Sequence, residues 1–328
     1  MLLKRIFNLI MAFYIVLSMP RALDKKFDEV LTQHNYSGVV LAWKPGCTIR
    51  KNYGNSDGRQ IKLTDAFPIA SISKTITAAV VLSEFHKRNL NVELPVASKL
   101  HLQGLPESIK VSDLLNHTSG LAQYTDFCKL DKTRTKKLSK DKLIELLTSE
   151  ICPGGKFDYN NANYILLELL LESITGESYP DLLSKHVFNP LKMQNTGTVT
   201  ATQVDELVIG LDKQGRKAIS VDYSWLGGGA GIYSTADDLF KFASAMMNKL
   251  VVPETFFWDH DCMDYRYGWT SLKLRNEHIF LHEGGIDGFS TMLMIEPKSE
   301  TILIMLSNEE IDIDNLSKKL LGLLLNRL

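Results

Sequence analysis

The sequence predicts a mixed α/β fold of the α+β kind, with one antiparallel sheet built from both ends of the chain, flanked by helices, and an all-helical lobe inserted in its middle. Three observations lead there. Strand-length apolar runs occur near the N-terminus and again over the last third of the chain, helical patterns fill the stretch between them, and no repeat, low-complexity tract or linker divides the 328 residues.

The elements follow in order. "YSGVVLAW" and "CTIRKNYG" read as two strands joined by the turn Lys44-Pro45-Gly46. "FPIASISKTITAAVVLSEFHKRN" is nearly apolar through its first turns, as expected of a helix covered on both sides. Helices are then expected from Lys140 to Ser149, from Asn160 to Ile174 with Gly176 as the stop, and from Tyr179 to Phe188. Strand patterns return in "LVIGLDKQGRKAISV", with a turn at Lys213-Gln214-Gly215, and in "HIFLHEGG", "STMLMIEP" and "TILIMLSN". Ser234 or Thr235 caps a helix running to Met247, and "IDNLSKKLLGLLLNRL" closes the chain as an amphipathic helix. The expected division is a single catalytic domain over 24–328, with a sheet lobe at 24–95 and 200–328 and a helical lobe at 96–199.

The charge balance of -1 and pI near 6.7 give no global bias toward polyanions, so no nucleic-acid partner is expected. Lys4 and Arg5 precede an apolar stretch from Ile6 to Met19. That stretch falls short of the roughly 20 residues a membrane span needs, and Val16-Leu17-Ser18 offers small residues for cleavage. Residues 1–18 therefore read as a signal peptide, with an uncleaved anchor as the alternative, and the protein reads as exported, periplasmic or secreted, with no stable membrane span. Cys47, Cys128, Cys152 and Cys262 match no zinc spacing. Cys128 and Cys152 bracket a charged insertion and are the first candidates for a bridge, with free buried cysteines as the alternative.

Three short segments carry chemistry. In Ser71-Ile72-Ser73-Lys74, residues three apart share a helix face, so Lys74 can reach back to Ser71. Apolar neighbours such as Ile72, Ile76 and Val80 should desolvate the amine and lower its pKa, as a base requires. Tyr159 and Asn161 flank one residue where a loop becomes a helix, placing a phenol and a carboxamide in one cleft. A lysine ammonium nearby would favour the phenolate, making Tyr159 a proton relay. His282-Glu283-Gly284 lies on a strand, where His282 could donate a hydrogen bond or carry charge at the cleft edge, and the glycines allow a substrate backbone to approach. Ser139-Lys140-Asp141-Lys142 and Tyr53-Gly54-Asn55 repeat the first two patterns, but read as a helix cap and a hairpin turn.

With S-x-x-K, Y-x-N and an H-x-G strand motif in that order, the chain resembles the serine β-lactamase and penicillin-binding superfamily, in its class C-like branch. "VSDLLNHTSGL", "FNPLKMQNTG", "GGAGIYSTADDLFKFA", "LHEGGIDGF" and "ILIMLSN" extend the likeness from about Tyr36 to the C-terminus. The resemblance implies a β-lactamase/transpeptidase-like fold and no cofactor. It implies Ser71 as the acylated nucleophile, Lys74 and Tyr159 as the shared base and relay, and Asn161, His282, Glu283 and Gly284 at the substrate. The backbone N–H groups of Ser71 and Gly285 would form the oxyanion hole. Which of Lys74 and Tyr159 takes the first proton stays open. The third motif departs from the Lys-Thr-Gly usual in class C β-lactamases: Glu283 lacks the hydroxyl that helps to hold a substrate carboxylate.

The expected activity is therefore a serine hydrolase acting on an amide or ester, as a D-amino-acid peptidase, DD-carboxypeptidase or esterase would. The alternatives are a class C-like β-lactamase and a catalytically silent binder of cell-wall fragments. The expected partner is a small-molecule or peptide substrate. "GGGAGIYST" reads as a cleft-side loop, since it lacks a phosphate-loop ending. His278 and His282 lie about 13 Å apart on a strand, too far to share a metal. "WDHDCMD" has no recognised ligand spacing, and no metal is expected. His117 in "NHTSG" reads as shaping a loop beside the cleft.

Overall fold

The computed structural model describes residues 21–100, 102, 104–121, 139–147, 151, 154–199, 207–218, 222–252, 265–274 and 277–325. The leader, Cys128, Cys152, Cys262, "WDHDCMD" and most of the lysine-rich run from Lys129 to Lys142 lie outside them. Helix α1 (Arg21–Gln33) precedes strands β1 (Gly38–Lys44) and β2 (Cys47–Tyr53), followed by the short strands β3 (Asn55–Ser56), β4 (Arg59–Gln60) and β5 (Phe67–Pro68). From there to β6 (Gly197–Thr198) the described elements are helical: α2 (Ser73–Lys87), α3 (Val111–Leu115), α4 (Lys140–Leu147), α5 (Asn161–Thr175), α6 (Tyr179–Leu183) and α7 (Asn189–Leu191). Then come α8 (Gly227–Ala230), β7 (Ile232–Ser234), α9 (Ala236–Met247), β8 (Tyr265–Arg266), β9 (Trp269–Leu274), β10 (Glu277–Ile286), β11 (Phe289–Glu296), β12 (Thr301–Ser307) and α10 (Ile313–Leu324).

The main sheet has seven strands in the order β2-β1-β12-β11-β10-β9-β8. Antiparallel pairing of Val39 with Leu306 and Leu41 with Ile304 joins the first strand of the chain to the last, as the sequence predicts. Successive side chains on a strand face opposite sides. Val40, Ala42, Met292, Met294, Leu303 and Met305 accordingly meet Phe27 and Leu31 of α1 and Leu316 and Leu320 of α10. Val39, Leu41, Leu293, Ile295, Ile302 and Ile304 join the larger core with α2, α5 and α9. Cover on both faces explains why the central strands read as continuous apolar runs.

Local signals set the helix ends. Asn160 caps α5 by accepting the Ala162 N–H at 2.9 Å, and the helix stops at Gly176, whose φ of 73° suits glycine. Thr235 caps α9 through the Asp238 N–H and Asp312 caps α10 through the Asn315 N–H. The helix expected to run to Phe188 ends as α at Leu183 and continues as a π turn, Ser184–Phe188. The expected hairpin in "LVIGLDKQGRKAISV" does not form a ladder among the described residues. The N–H groups of Val208, Ile209 and Leu211 go singly to Ala66 O, Ser56 Oγ and Asn308 O, leaving one bridge between Leu211 and Lys217 across the turn. Helix α1 and the strands β8 and β9 were not anticipated. Cys47 is buried with a free thiol. No helix among the described residues is long and apolar enough to cross a membrane.

Candidate active site

Ser71 lies in a 3₁₀ turn, Ala70–Ile72, that leads into α2. Residue 69 is pinned from two sides: its N–H donates to Ile232 O of β7 at 3.0 Å, and its carbonyl accepts from Thr291 Oγ1 of β11 at 3.0 Å. Between these anchors and the helix, Ala70 takes φ 47°, a left-handed conformation that costs an alanine about 1–2 kcal/mol. The turn leaves Ser71 part-exposed while Ile72 through Leu82 are buried.

One turn on, Lys74 is fully buried, with Nζ 3.0 Å from Ser71 Oγ, 2.6 Å from Asn161 Oδ1 and 2.8 Å from Gly229 O. Two of these partners are carbonyl oxygens, which only accept. A neutral amine has two N–H groups for them and one lone pair left, which points at the Ser71 hydroxyl. Burial pushes the Lys74 pKa well below its ordinary value, toward that neutral form.

Gly229 reaches Lys74 because the short helix α8 that carries it is held by α2 and α5. The Gly228 N–H donates to Glu168 of α5 at 2.6 Å, and the Thr77 hydroxyl of α2 donates to Gly228 O at 2.6 Å. "GGGAGIYST", expected as a loop beside the cleft, instead forms α8 and β7, and its contribution to the site is the Gly229 carbonyl.

Tyr159 sits on the loop entering α5, hydrogen-bonded to Ser71, with its ring 4.9 Å from Lys74 Nζ. Tyr159 remains 37% exposed, and Phe157 nearby is 57% exposed. Desolvation of the hydroxyl raises its pKa, the Ser71 bond lowers it and the Glu283 charge raises it; the balance is upward. This reverses the phenolate expected from the sequence. With Lys74 pressed toward neutrality, no fixed cation offsets the loss of water.

On β10, His282 and Gly284 face inward while Glu283 and Gly285 are exposed. Pairing with β9 runs from Glu277↔Leu274 to Leu281↔Thr270 and stops there, so among the described residues no strand pairs with that edge of β10 from His282 onward. A Cβ on Gly284 would lie 2.2 Å from Thr291 Oγ1 and 2.5 Å from Ile69 O, so β10 approaches the Ser71 turn only because residue 284 is glycine. At Gly285 the space is open. His282 is 4% exposed, with Nδ1 2.7 Å from Glu283 O and Nε2 3.2 Å from Tyr265 Oη; burial lowers its pKa to about 3, so it carries no charge at neutral pH. Desolvation, with Asp314 and Asp312 nearby, raises the Glu283 pKa against an opposing pull from Lys318.

Ser71, Lys74, Tyr159, Asn161, His282 and Gly284 therefore converge on one site, with Gly285 following on the open edge of β10, whereas Glu283, paired with Met292, lies on the α10 face of the sheet beside Asp312, Asp314 and Lys318, and its charge is still felt at Tyr159. The look-alike motifs do not. Ser139 caps α4, with the Lys142 N–H 3.3 Å from Ser139 Oγ and Lys142 Nζ on Glu145, and the Tyr53 hydroxyl bonds Asp28. No group of three or more metal-type side chains is gathered among the described residues. The sequence reading missed Tyr265 and the Gly229 carbonyl, and underused His117, which is buried beneath Tyr159 with ring centroids 4.4 Å apart.

Comparison with known proteins places the chain in a family. The chain is 26% identical over 326 residues to penicillin-binding protein 4* of Bacillus subtilis, covering 88% of this chain and 72% of that protein. It is 25% identical over 287 residues to protein flp of Staphylococcus aureus, covering 79% of this chain but only 57% of flp, so it spans little more than half of that relative. The D-amino acid amidase from Ochrobactrum anthropi SV3, solved with L-phenylalanine, superimposes with a TM-score of 0.82 at 18% identity, covering 93% of this chain and 99% of that one. This likeness fixes the fold as that of the serine β-lactamases and transpeptidases. The β-lactamase family model matches residues 23–322, and the chain belongs to that family of serine hydrolases.

Proposed function

We propose that the protein hydrolyses amides or esters of D-amino acids or short D-peptides through an acyl-enzyme on Ser71. The observation that carries this is the Lys74 amine, fully buried, with two carbonyl acceptors and the Ser71 hydroxyl as its partners.

In this reading Ser71 Oγ attacks the substrate carbonyl carbon as its proton passes to neutral Lys74. The oxyanion is held by the N–H groups of Ser71 and Gly285. The proton then moves through Tyr159, still a phenol, to the leaving nitrogen or oxygen, the C–N or C–O bond breaks, and the acyl group stays on Ser71. Water, deprotonated by the same groups, releases the acid and restores Ser71. Asn161 holds Lys74 in line and offers its amide N–H to the substrate. Glu283, exposed on β10 and felt electrostatically at Tyr159, adds negative charge at the edge of the site, which supports an ammonium-bearing substrate over a carboxylate and keeps a β-lactamase role as the second reading. Exposed Phe157 and Tyr159 suit an apolar side chain. The D-amino acid amidase likeness supports the stereochemical part of the proposal. Export behind the leader and a single catalytic domain over 24–328 belong to the same reading.

The test is ammonia release from D- and L-phenylalanine amide by wild type and Ser71→Ala. The expected result is a D preference of roughly tenfold or more, lost entirely in the variant. Equal release by the two proteins, or an L preference, would overturn the proposal.

A further inference from the structure

We infer that His117, Tyr265 and His282 form one directional hydrogen-bond chain and act as positioning residues for acylation at Ser71. The functional half of this inference rests on the reading above, whereas the direction of the chain does not.

The direction follows from what each end can accept. His117 Nδ1 faces two donors, the Asn160 backbone N–H at 3.1 Å and Asn163 Nδ2 at 2.9 Å. Asn163 is oriented independently, since its Oδ1 takes the Ser119 hydroxyl at 2.5 Å. Nδ1 of His117 is therefore bare, its proton sits on Nε2, and that N–H points at Tyr265 Oη, 3.2 Å away. At the other end, His282 Nδ1 faces the Glu283 carbonyl at 2.7 Å, which only accepts, so the His282 proton is on Nδ1 and its Nε2 is bare. Tyr265 Oη lies 3.2 Å from that nitrogen. The Tyr164 hydroxyl, also hydrogen-bonded to Tyr265, has committed its proton to Leu115 O at 3.0 Å and so competes with His282 Nε2 as an acceptor for the Tyr265 proton. An imidazole nitrogen is the stronger base, so Tyr265 accepts from His117 and donates to His282. The two imidazoles thus hold opposite tautomers, each set by its outer partner, and one hydroxyl can join them.

The chain ties three elements that are remote in sequence to the two walls of the cleft. His117 follows α3 at φ 57°, a left-handed conformation that turns its ring inward. There it holds the N–H of Asn160, the residue between Tyr159 and Asn161, and lies against the Tyr159 ring at 4.4 Å. His282 begins the segment of β10 that leads to Gly285. Tyr265, on β8, fixes the separation between them. A shift of one wall against the other would move the Tyr159 hydroxyl relative to the oxyanion site, and misplacement by about 1 Å can cost roughly 100-fold in rate.

Two measurements test this. The first is long-range ¹H–¹⁵N correlation on protein labelled at histidine, with signals assigned by His117→Asn and His282→Gln. The chain requires neutral Nε2–H for His117 and neutral Nδ1–H for His282 at pH 6. The same tautomer at both, or an imidazolium at either, overturns it, whatever the protein's activity. The second is the rate of Ser71 acylation in Tyr265→Phe, which keeps the ring and loses the hydroxyl. The expected change is a fall of roughly 10- to 100-fold in the maximal rate with the half-saturating concentration unchanged. A rate within twofold of wild type overturns the positioning role. Absence of any Ser71-dependent adduct in wild type would instead remove the acyl-enzyme reading, leaving the tautomer result to stand by itself.

Discussion

Replacing Lys74 with methionine keeps most of the buried stem and removes the nitrogen, so it separates the cost of burying the amine from the worth of its hydrogen bonds. Nζ makes three such bonds, at 3.0, 2.6 and 2.8 Å. At about 1 kcal/mol net apiece, their loss destabilises the variant by about 3 kcal/mol at every pH. The burial term depends on pH. Desolvation depresses the folded-state pKa of Lys74, so below about pH 10.4 the unfolded chain takes up a proton that the folded chain refuses. Stability associated with this group is therefore complete above the unfolded pKa and falls as the pH drops toward the folded one, by about 1.4 kcal/mol per pH unit. Wild type should be the more stable protein near pH 10, and its advantage should shrink with each step toward lower pH until the folded pKa is reached. Urea unfolding of both proteins at half-unit steps from pH 7 to 10 measures the difference, in which the other titrating groups cancel. A wild-type advantage that stays constant across this range would mean that Lys74 is charged in the fold, and the base assignment would fail with it.

Asn161→Asp puts a carboxylate 2.6 Å from Nζ, favouring the ammonium; the acid limb of the acylation profile should move up by about 1 to 3 pH units, with a fall of roughly tenfold or more at pH 7. Gly284→Ala drives a Cβ toward Thr291 Oγ1 and Ile69 O and should cost about 1–3 kcal/mol together with the acylation rate, whereas Gly285→Ala meets nothing within 4 Å and should melt like wild type. Glu283→Thr supplies a hydroxyl and removes a negative charge, so acylation by a penicillin should rise roughly tenfold while turnover of cationic D-aminoacyl amides falls; stopped-flow and amide-release assays read the two changes.

The fold was legible where pattern and burial agree. The central strands are apolar on both faces because α1 and α10 cover one side and the main core the other, and the ends of α5 and α9 follow their caps and stops. The site was legible where spacing alone brings groups together, as for Ser71 with Lys74 and Tyr159 with Asn161. What escaped depends on backbone and tertiary position. Gly229 contributes a carbonyl, which every residue has, and Ala70 contributes a strained φ set by anchors on β7 and β11. Tyr265 stands on a strand of two residues, too short to carry a period, and meets His117 and His282 only once the hairpin β8–β9 folds over α2. The lowered pKa of Lys74 was legible from its apolar helix neighbours, but the phenolate expected of Tyr159 failed because a charged lysine was assumed beside it, whereas burial dominates at both groups and raises the Tyr159 pKa.

The central claim is that Ser71 is a nucleophile activated by its buried neighbour. Intact-mass spectrometry after brief, rapidly quenched exposure to a D-phenylalanine aryl ester tests it most directly, with wild type, Ser71→Ala and Lys74→Met treated alike. The account predicts an acyl adduct on wild type, none on Ser71→Ala, and accumulation slowed roughly 100-fold or more in Lys74→Met. An adduct of equal size and rate on wild type and Ser71→Ala would contradict it.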